Sequence, residues 1–484
     1  MLRLLNNIGL LSPLKLLRLF FSFQKFGKNF LGYLHFLQKT HASNVALDDG
    51  EYLLSYADFF SQSKTAFSIF TNQLSINKTS KVCLISLDSV PLTLTIVGLS
   101  AIGSKTILIN PNLSASQLNE LLDKLNPTHV LTDYDNQHKV ESKFEPFNFR
   151  DINFHSEQSK TKVKPTSMGP FTVMTSGTTG LPKEISRKSS IATFIPPFRA
   201  LINQLELHKY SKIYIATPIY HGFGISALFI SIVLGAEIHM SQKFNEKELA
   251  NTLRHFKIEV LTAVPLMLDR LNKCINDSKI EAEQLKCIIS GGAALHESTL
   301  RETERNFGEI VWNLYGTSEA GFCIMSTPTI SAKDAGTIGK PIKGVKTKIE
   351  NGQLMIQAKW AFQKGEWIPT GDAAEIENEF IYLCGRIDDM IVSGGENVYP
   401  VNLKNALMEL SEVRIAEVLP VDDDEYGQRF EVFLELNKEI ETNSIMEYLK
   451  AKLARYEIPR KIHVLEKLPL NPIGKVNKKE LLSR

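Results

Sequence analysis

The run Thr175-Ser176-Gly177-Thr178-Thr179-Gly180-Leu181-Pro182-Lys183 interleaves hydroxyls with two glycines and closes on a lysine. Glycines let backbone N–H groups come close to an anion, hydroxyls add donors, and the ammonium adds charge. Together these groups suit phosphate oxygens. Phe171-Thr172-Val173-Met174 predicts a strand before the run, and Glu184-Ile185-Ser186-Arg187 predicts an extended piece after it. The loop is therefore expected to join two strands. A Walker loop instead needs G-x-x-x-x-G-K-[ST] between a strand and a helix, and the chain has no such match. Ser, Thr and Gly also make ordinary hairpin turns; the closing Pro-Lys favours the phosphate reading.

Four further segments follow in order: Tyr315-Gly316-Thr317-Ser318-Glu319, Trp367-Ile368-Pro369-Thr370-Gly371-Asp372, Gly385-Arg386-Ile387-Asp388-Asp389-Met390-Ile391 and Asn471-Pro472-Ile473-Gly474-Lys475. With the first loop they resemble the signatures of the AMP-forming adenylating enzymes. That superfamily contains the acyl- and aryl-CoA synthetases, amino-acid adenylation domains and firefly luciferase. The resemblance runs from about Val45 to the end of the chain and is nearest to the acyl-CoA synthetases.

The resemblance implies a role for each matching position. Thr175, Ser176, Gly177, Thr178, Thr179, Gly180 and Lys183 would cradle the β- and γ-phosphates of ATP. Glu319 would hold Mg²⁺ with the Thr175 hydroxyl, since a hard cation takes oxygen ligands. Tyr315, with Gly316 and Thr317 beside it, would pack on adenine, and Asn313 would bond its exocyclic amine. Gly292 and Ala293, in the turn Ser290-Gly291-Gly292-Ala293, would pass close to the base. Asp372 would accept from the ribose hydroxyls, with Arg386 adjacent. Lys475 would arrive on a mobile lid and bridge the carboxylate and the α-phosphate. Asp388 would be the hinge. Gly394 and Gly395, within Ser393-Gly394-Gly395-Glu396-Asn397-Val398-Tyr399-Pro400, would line the channel for a thiol. Alone, Glu319, Asp372, Arg386 and Lys475 would each pass for surface charges; their order and spacing argue otherwise. The chain departs from the family pattern at Glu184, where glycine is usual after Pro-Lys. It departs again at Asn402 and Lys404, where glutamates usually follow the Tyr-Pro of the lid.

The acyl pocket is expected to begin at Tyr220-His221-Gly222-Phe223-Gly224, with His221 at the carboxylate end. No Asp stands between Thr217 and Ile230 to pair with a substrate ammonium, and the flanking residues are apolar. A fatty or aryl acid fits better than an amino acid, and a place in fatty-acid or lipid metabolism is expected. Gly222-Phe223-Gly224-Ile225-Ser226-Ala227 also satisfies the dinucleotide pattern G-x-G-x-x-[GA]. Pro218 breaks the strand that should feed it, and no acidic residue closes a βαβ unit behind it.

The elements that position these residues read as α/β. Strands at Val82-Cys83-Leu84-Ile85-Ser86, Thr106-Ile107-Leu108-Ile109 and His129-Val130-Leu131-Thr132 alternate with helices through Phe59 to Leu74 and through Leu118, Leu121, Leu122 and Leu125. Such alternation predicts mostly parallel sheets covered by helices. Past Gly344 short strands take over, and after Arg386 comes a small α+β unit with a helix near 401–410 and a strand near 430–436. The expected organisation has three parts. A basic and aromatic extension covers 1–44. A large adenylate-forming domain with a small β-barrel-like part covers 45–386, and a mobile lid covers 387–484.

A chain of 484 residues, 43% hydrophobic and 22% charged, has the composition of a globular multidomain protein. Lys+Arg 55 against Asp+Glu 53 gives no drive toward nucleic acid. Five scattered cysteines lack metal spacing and read as buried, reduced thiols in a cytoplasmic protein. No Asp or Glu precedes Asp48, while Arg3, Lys15, Arg18, Lys25, Lys28 and Lys39 do, among many Leu and Phe. These first helices are expected to pack on the large domain; the alternative is peripheral membrane contact. The expected activity is ATP-dependent formation of an acyl-AMP, with coenzyme A as the acceptor. The alternatives are transfer to an acyl carrier protein, or a non-catalytic relative of the same fold.

Overall fold

The computed structural model describes residues 12–155, 163–175, 183–184, 191–278, 284–317, 319–361, 365–393, 396–423, 425–469 and 476–482. Ser176, Gly177, Thr178, Thr179, Gly180, Ser318, Gly394, Gly395 and Lys475 lie outside the described residues.

A six-stranded sheet runs in the order Phe147–Asn148, His129–Thr132, Lys81–Ile85, Lys105–Ile109, Phe171–Thr175, Lys183–Glu184. All its pairings are parallel except the last. Its central strands are continuous apolar runs because helices cover both faces. Helix Val90–Ile102 is apolar on every side and buried along its whole length. That is the pattern of a helix enclosed by other elements. It packs on helix Tyr56–Asn72, where Gly98 lies close against Ala66 and Phe67.

A 13-stranded sheet has a parallel middle: Val45–Asp48, Glu237–Met240, Lys212–Ile215, Val260–Ala263, Cys287–Gly291 and Val311–Thr317. From Gly321–Ser326 onward it is antiparallel, through Thr337–Pro341, Phe380–Arg386, Ile368–Glu377, Gln353–Ala358 and Val345–Glu350. This run occupies the place of the expected barrel-like part and continues the larger sheet.

Strand membership changes across the 3-10 turn Ile387–Asp389. Ile391–Ser393 begins a separate five-stranded sheet with its own core around Leu407, Ala416, Val432 and Ile445. Helices Pro400–Met408 and Thr442–Lys452 belong to this smaller unit. At the other end, helix Phe30–His41 is almost wholly buried in the main core, so the expected packing of the first helices holds for it. Helix Pro13–Phe26 buries only Ser22 and Phe26.

Candidate active site

Parallel strands align their carboxyl ends, and open α/β sheets bind ligands in the crevice beyond those ends. Here the loops leaving two sheets meet. Asp88, past strand Lys81–Ile85, accepts the Ile219 N–H at 2.9 Å. Asn112, past strand Lys105–Ile109, donates to the Tyr220 hydroxyl at 3.2 Å. A Cβ at Gly222 would lie 3.7 Å from Val173, two residues before the end of strand Phe171–Thr175. That strand and Lys183–Glu184 pair in register, Thr175 opposite Lys183, so the phosphate-type loop joins two antiparallel strands as expected. His221 is the residue before helix Gly222–Leu234 and touches the Tyr220 ring, with centroids 4.5 Å apart. The glycine pattern in this helix has a packing origin, since a Cβ at Gly224 would come 2.1 Å from the Pro218 carbonyl oxygen.

Asp88 gave no signal in the sequence, being one carboxylate after an apolar strand. It is buried, and burial pushes its carboxyl up to about 7, against a smaller lowering by the Ile219 N–H. A raised folded-state value means that Asp88 stabilises the fold below its unfolded value near 4 and that this contribution is lost as pH rises through about 7. Asp88→Asn keeps an oxygen for Ile219 and removes the titration. The variant is expected to match the wild type near pH 4 and to be more stable by roughly 2–4 kcal/mol at pH 8. Urea midpoints across that range check this; parallel pH profiles for the two proteins would contradict it.

The second corner forms on the larger sheet. The Tyr315 hydroxyl donates to Asp372 Oδ2 at 2.5 Å, and Arg386 Nη1 reaches Asp372 Oδ1 at 2.9 Å. Arg386 also donates to the Thr370 carbonyl at 3.1 Å, and the Thr370 hydroxyl accepts the Asp372 N–H. Asp372 and Arg386 are cross-strand partners, which explains how residues 14 apart in sequence meet. Burial, then the Asp372 charge, pushes the Tyr315 phenol well above its ordinary value. Two backbones need glycine here. A Cβ at Gly316 would fall 2.3 Å from the Gly321 oxygen. Gly371 has φ +76°, and its Cβ would meet the Arg386 guanidinium at 2.5 Å. The Thr317 hydroxyl accepts the Ala320 N–H at 3.0 Å, closing a turn on which Glu319 is exposed.

Asn313 lies opposite Ser290 in the parallel register, and Gly291 opposite Leu314. Gly292 and Ala293 leave that strand at an exposed turn beside Tyr315's strand. The Ser290 hydroxyl is buried without a hydrogen-bond partner among the described residues. A buried polar atom without a partner beside a half-open turn fits a ligand that supplies one.

Asp388 sits in the turn between the two units, 3.7 Å from Arg386. The turn is tied to the far end of the lid by Lys478, whose ammonium touches both oxygens of Asp389 at 3.0 Å. The lid also meets the large unit where His296 Nδ1 lies 3.2 Å from Asn405 Oδ1. Burial, then Lys404, lowers the His296 pKa. Two of the three residues that depart from the family pattern are engaged inside the smaller unit: Asn402 donates to Glu457 and Lys404 to Glu417, each at 2.9 Å. Val476, directly after Lys475, packs with Leu419, Leu468 and Leu481 on the lid.

Tyr315, Asp372 and Arg386 thus converge; Asn313 lies within the strand that carries Tyr315, Glu319 follows that strand, and Gly292 follows the neighbouring one. The His221 corner lies near Val173, on the strand that leads into the phosphate-type run. Among the described residues no group of three or more His, Cys, Asp or Glu could hold a metal unaided. Glu319 fits a cation shared with phosphate oxygens, because Mg²⁺ is commonly held by one or two carboxylates plus substrate phosphates.

Residues 35–366 match the family described as AMP-binding enzyme, and 403–475 match the AMP-binding enzyme C-terminal domain. A 2-succinylbenzoate–CoA ligase of Bacillus pumilus is 26% identical over 85% of this chain and 89% of its own. That of Bacillus subtilis is 30% identical over 63% of this chain and 67% of its own. Among solved structures, the o-succinylbenzoate CoA synthetase of Bacillus subtilis with its acyl-adenylate superposes with TM-score 0.79 at 23% identity, over 93% of this chain and 97% of the other. An amide bond synthetase of Marinactinospora thermotolerans gives 0.80 at 16% identity, over 94% and 99%. The chain belongs to the AMP-binding enzyme family, as an AMP-forming adenylating enzyme of the acyl- and aryl-CoA synthetase type.

Proposed function

We propose that this enzyme activates an apolar, aryl-type carboxylic acid with ATP and Mg²⁺ and passes the acyl group to coenzyme A. The observation that carries the reading is the Tyr315–Asp372–Arg386 corner. An ionised carboxylate has about four lone-pair sites. Tyr315 and Arg386 use one on each oxygen. That leaves acceptor capacity on both oxygens, enough for the two vicinal hydroxyls that a ribose presents.

In the first half-reaction a carboxylate oxygen attacks the α-phosphorus and pyrophosphate leaves. The acid is already ionised at neutral pH, so no general base is required. The demand is for positioning and for neutralising charge as it shifts onto pyrophosphate. Lys183 and the loop before it hold the leaving phosphates, Glu319 anchors the cation, and Lys475 bridges the reacting carboxylate and the α-phosphate. The bound Mg²⁺ supplies charge neutralisation on the triphosphate. In the second half-reaction a thiolate adds to the acyl carbon, the acyl–oxygen bond breaks and AMP leaves. For this the lid turns at Asp388 and brings Gly394 and Gly395 to the site. We place the boundary of the large domain at Arg386 on this ground.

The relatives named for 2-succinylbenzoate support an aryl acid. A fatty acid is the second reading, favoured by the apolar helix Gly222–Leu234 behind His221. Coenzyme A is preferred to a carrier protein because the named relatives are CoA ligases. A pyrophosphate-release screen over aryl, fatty and amino acids tests the assignment. Turnover confined to aryl acids is expected; turnover with amino acids alone would overturn it.

A further inference from the structure

Helix Pro13–Phe26 takes no part in the site, yet most of its outward side chains as far as Phe21 are apolar, with exposed Gln24 on the same side one turn further on. Leu14, Leu16, Leu17, Phe20 and Phe21 are 40–57% exposed. At about 100° per residue these five fall within one arc of about 160°. Isolated exposed leucines are ordinary on a protein surface; a contiguous face of leucine and phenylalanine is not. The opposite side of the helix is fastened down. Ser22 Oγ lies 2.9 Å from His35 Nδ1, and Phe26 meets the edge of Phe60 at 5.3 Å. Directly after the helix, Asn29 donates to the Thr166 carbonyl at 2.8 Å. The apolar face is therefore held outward by packing on its other side.

We propose that this face lies on an anionic lipid bilayer, with the helix axis in the membrane plane. Charge commits the face to that occupant. Arg18 and Lys25 are exposed along one edge of the apolar arc, and no carboxylate occurs anywhere before Asp48. Apolar burial flanked by cations is what an interfacial helix presents to anionic headgroups. A second copy of the chain is a poorer occupant, because a self-complementary two-fold contact would set this helix, which carries Arg18 and Lys25 and no carboxylate, against itself. Spanning is not at issue: a 14-residue helix is about 21 Å long, and no described helix is long and apolar enough to cross a membrane. The anchoring runs on toward the pocket. Phe30, on the next helix, meets Phe229 with centroids 4.4 Å apart, and the Tyr33 hydroxyl donates to the Val233 carbonyl at 2.7 Å. Both partners belong to the helix that starts beside His221, so the membrane-facing side and the pocket helix form one packed unit.

Flotation of the full chain with phosphatidylcholine vesicles, with and without phosphatidylglycerol, tests the proposal. Binding is expected to need the anionic lipid and to weaken at high salt. Leu17→Ser/Phe21→Ser and Arg18→Glu/Lys25→Glu should each lower the bound fraction about tenfold or more. Pyrophosphate exchange with a water-soluble acid should be the same in all three proteins, which separates this inference from the proposed activity. Absence of flotation would overturn it, as would equal flotation of wild type and both variants. A dimer in sedimentation that Leu17→Ser/Phe21→Ser dissociates, without vesicle binding, would assign the face to a second copy instead.

Discussion

Lys475→Ala is expected to slow acyl-adenylate formation about 100- to 1,000-fold while changing the KM for ATP by no more than about threefold. In the proposed mechanism Lys475 is delivered by the C-terminal unit and meets the substrates only when that unit closes over them. Its charge matters most as negative charge gathers between the carboxylate and the α-phosphate, so its loss falls on the transition state and on kcat. The chain around it supports delivery from the C-terminal unit: Val476 and Leu481 pack on that unit, and Lys478 is tied to Asp389 in the turn Ile387–Asp389. Rapid-quench measurement of acyl-AMP in a single turnover checks the effect. An unchanged rate would remove Lys475 from the mechanism. A large rise in the KM for ATP at constant kcat would make it a ground-state binding residue.

The second large effect is expected at Asp372. Alanine there strips the acceptor from Tyr315 and Arg386 together and removes both sites offered to the ribose. Hydrogen bonds to a charged group contribute about 1.5–3 kcal/mol each, and buried partners left unpaired cost more. A loss of about 2–4 kcal/mol corresponds to roughly 30- to 1,000-fold in kcat/KM for ATP. Asp372→Asn retains an acceptor for Tyr315 and should lose less. Tyr315→Phe leaves the carboxylate charged and held by Arg386, and should lose least. Steady-state kinetics on the three variants check the order. An Asp372→Ala enzyme with wild-type kcat/KM would show that the corner supports the fold and not the nucleotide.

The sequence made much of this site legible, for a physical reason. The phosphate-type run and the segment Tyr315 to Glu319 stand at the ends of strands with parallel partners, where apolar runs give way to Gly, Thr and Ser. Thr370, Gly371, Asp372 and Arg386 were legible from the motif resemblance instead; they lie in the antiparallel strands Ile368–Glu377 and Phe380–Arg386, whose register brings Asp372 and Arg386 together. The strand His129–Thr132 and the helices through Phe59 and Leu118 were readable from periodicity alone. Contacts between sheets were not readable. Asp88 and Asn112 hold the Ile219–Tyr220 loop from elements more than a hundred residues away, and nothing local announces such a pairing. Helix Gly222–Leu234 was also missed, because a nearly uniform apolar run carries no helical period. The N-terminal helices shared one composition and divided in the structure. Phe30–His41 is buried in the core, whereas Pro13–Phe26 turns five large apolar side chains outward.

The central claim is that the acid is activated by joining its own oxygen to AMP. Carboxylic acid labelled with ¹⁸O in both oxygens, turned over with ATP, Mg²⁺ and coenzyme A, tests it most directly. If the carboxylate attacks the α-phosphorus and the thiol then displaces AMP at the acyl carbon, each AMP released carries one ¹⁸O and pyrophosphate carries none. Label in inorganic phosphate with ADP as co-product would mean an acyl phosphate and would contradict the account. So would unlabelled AMP accompanying thioester formation.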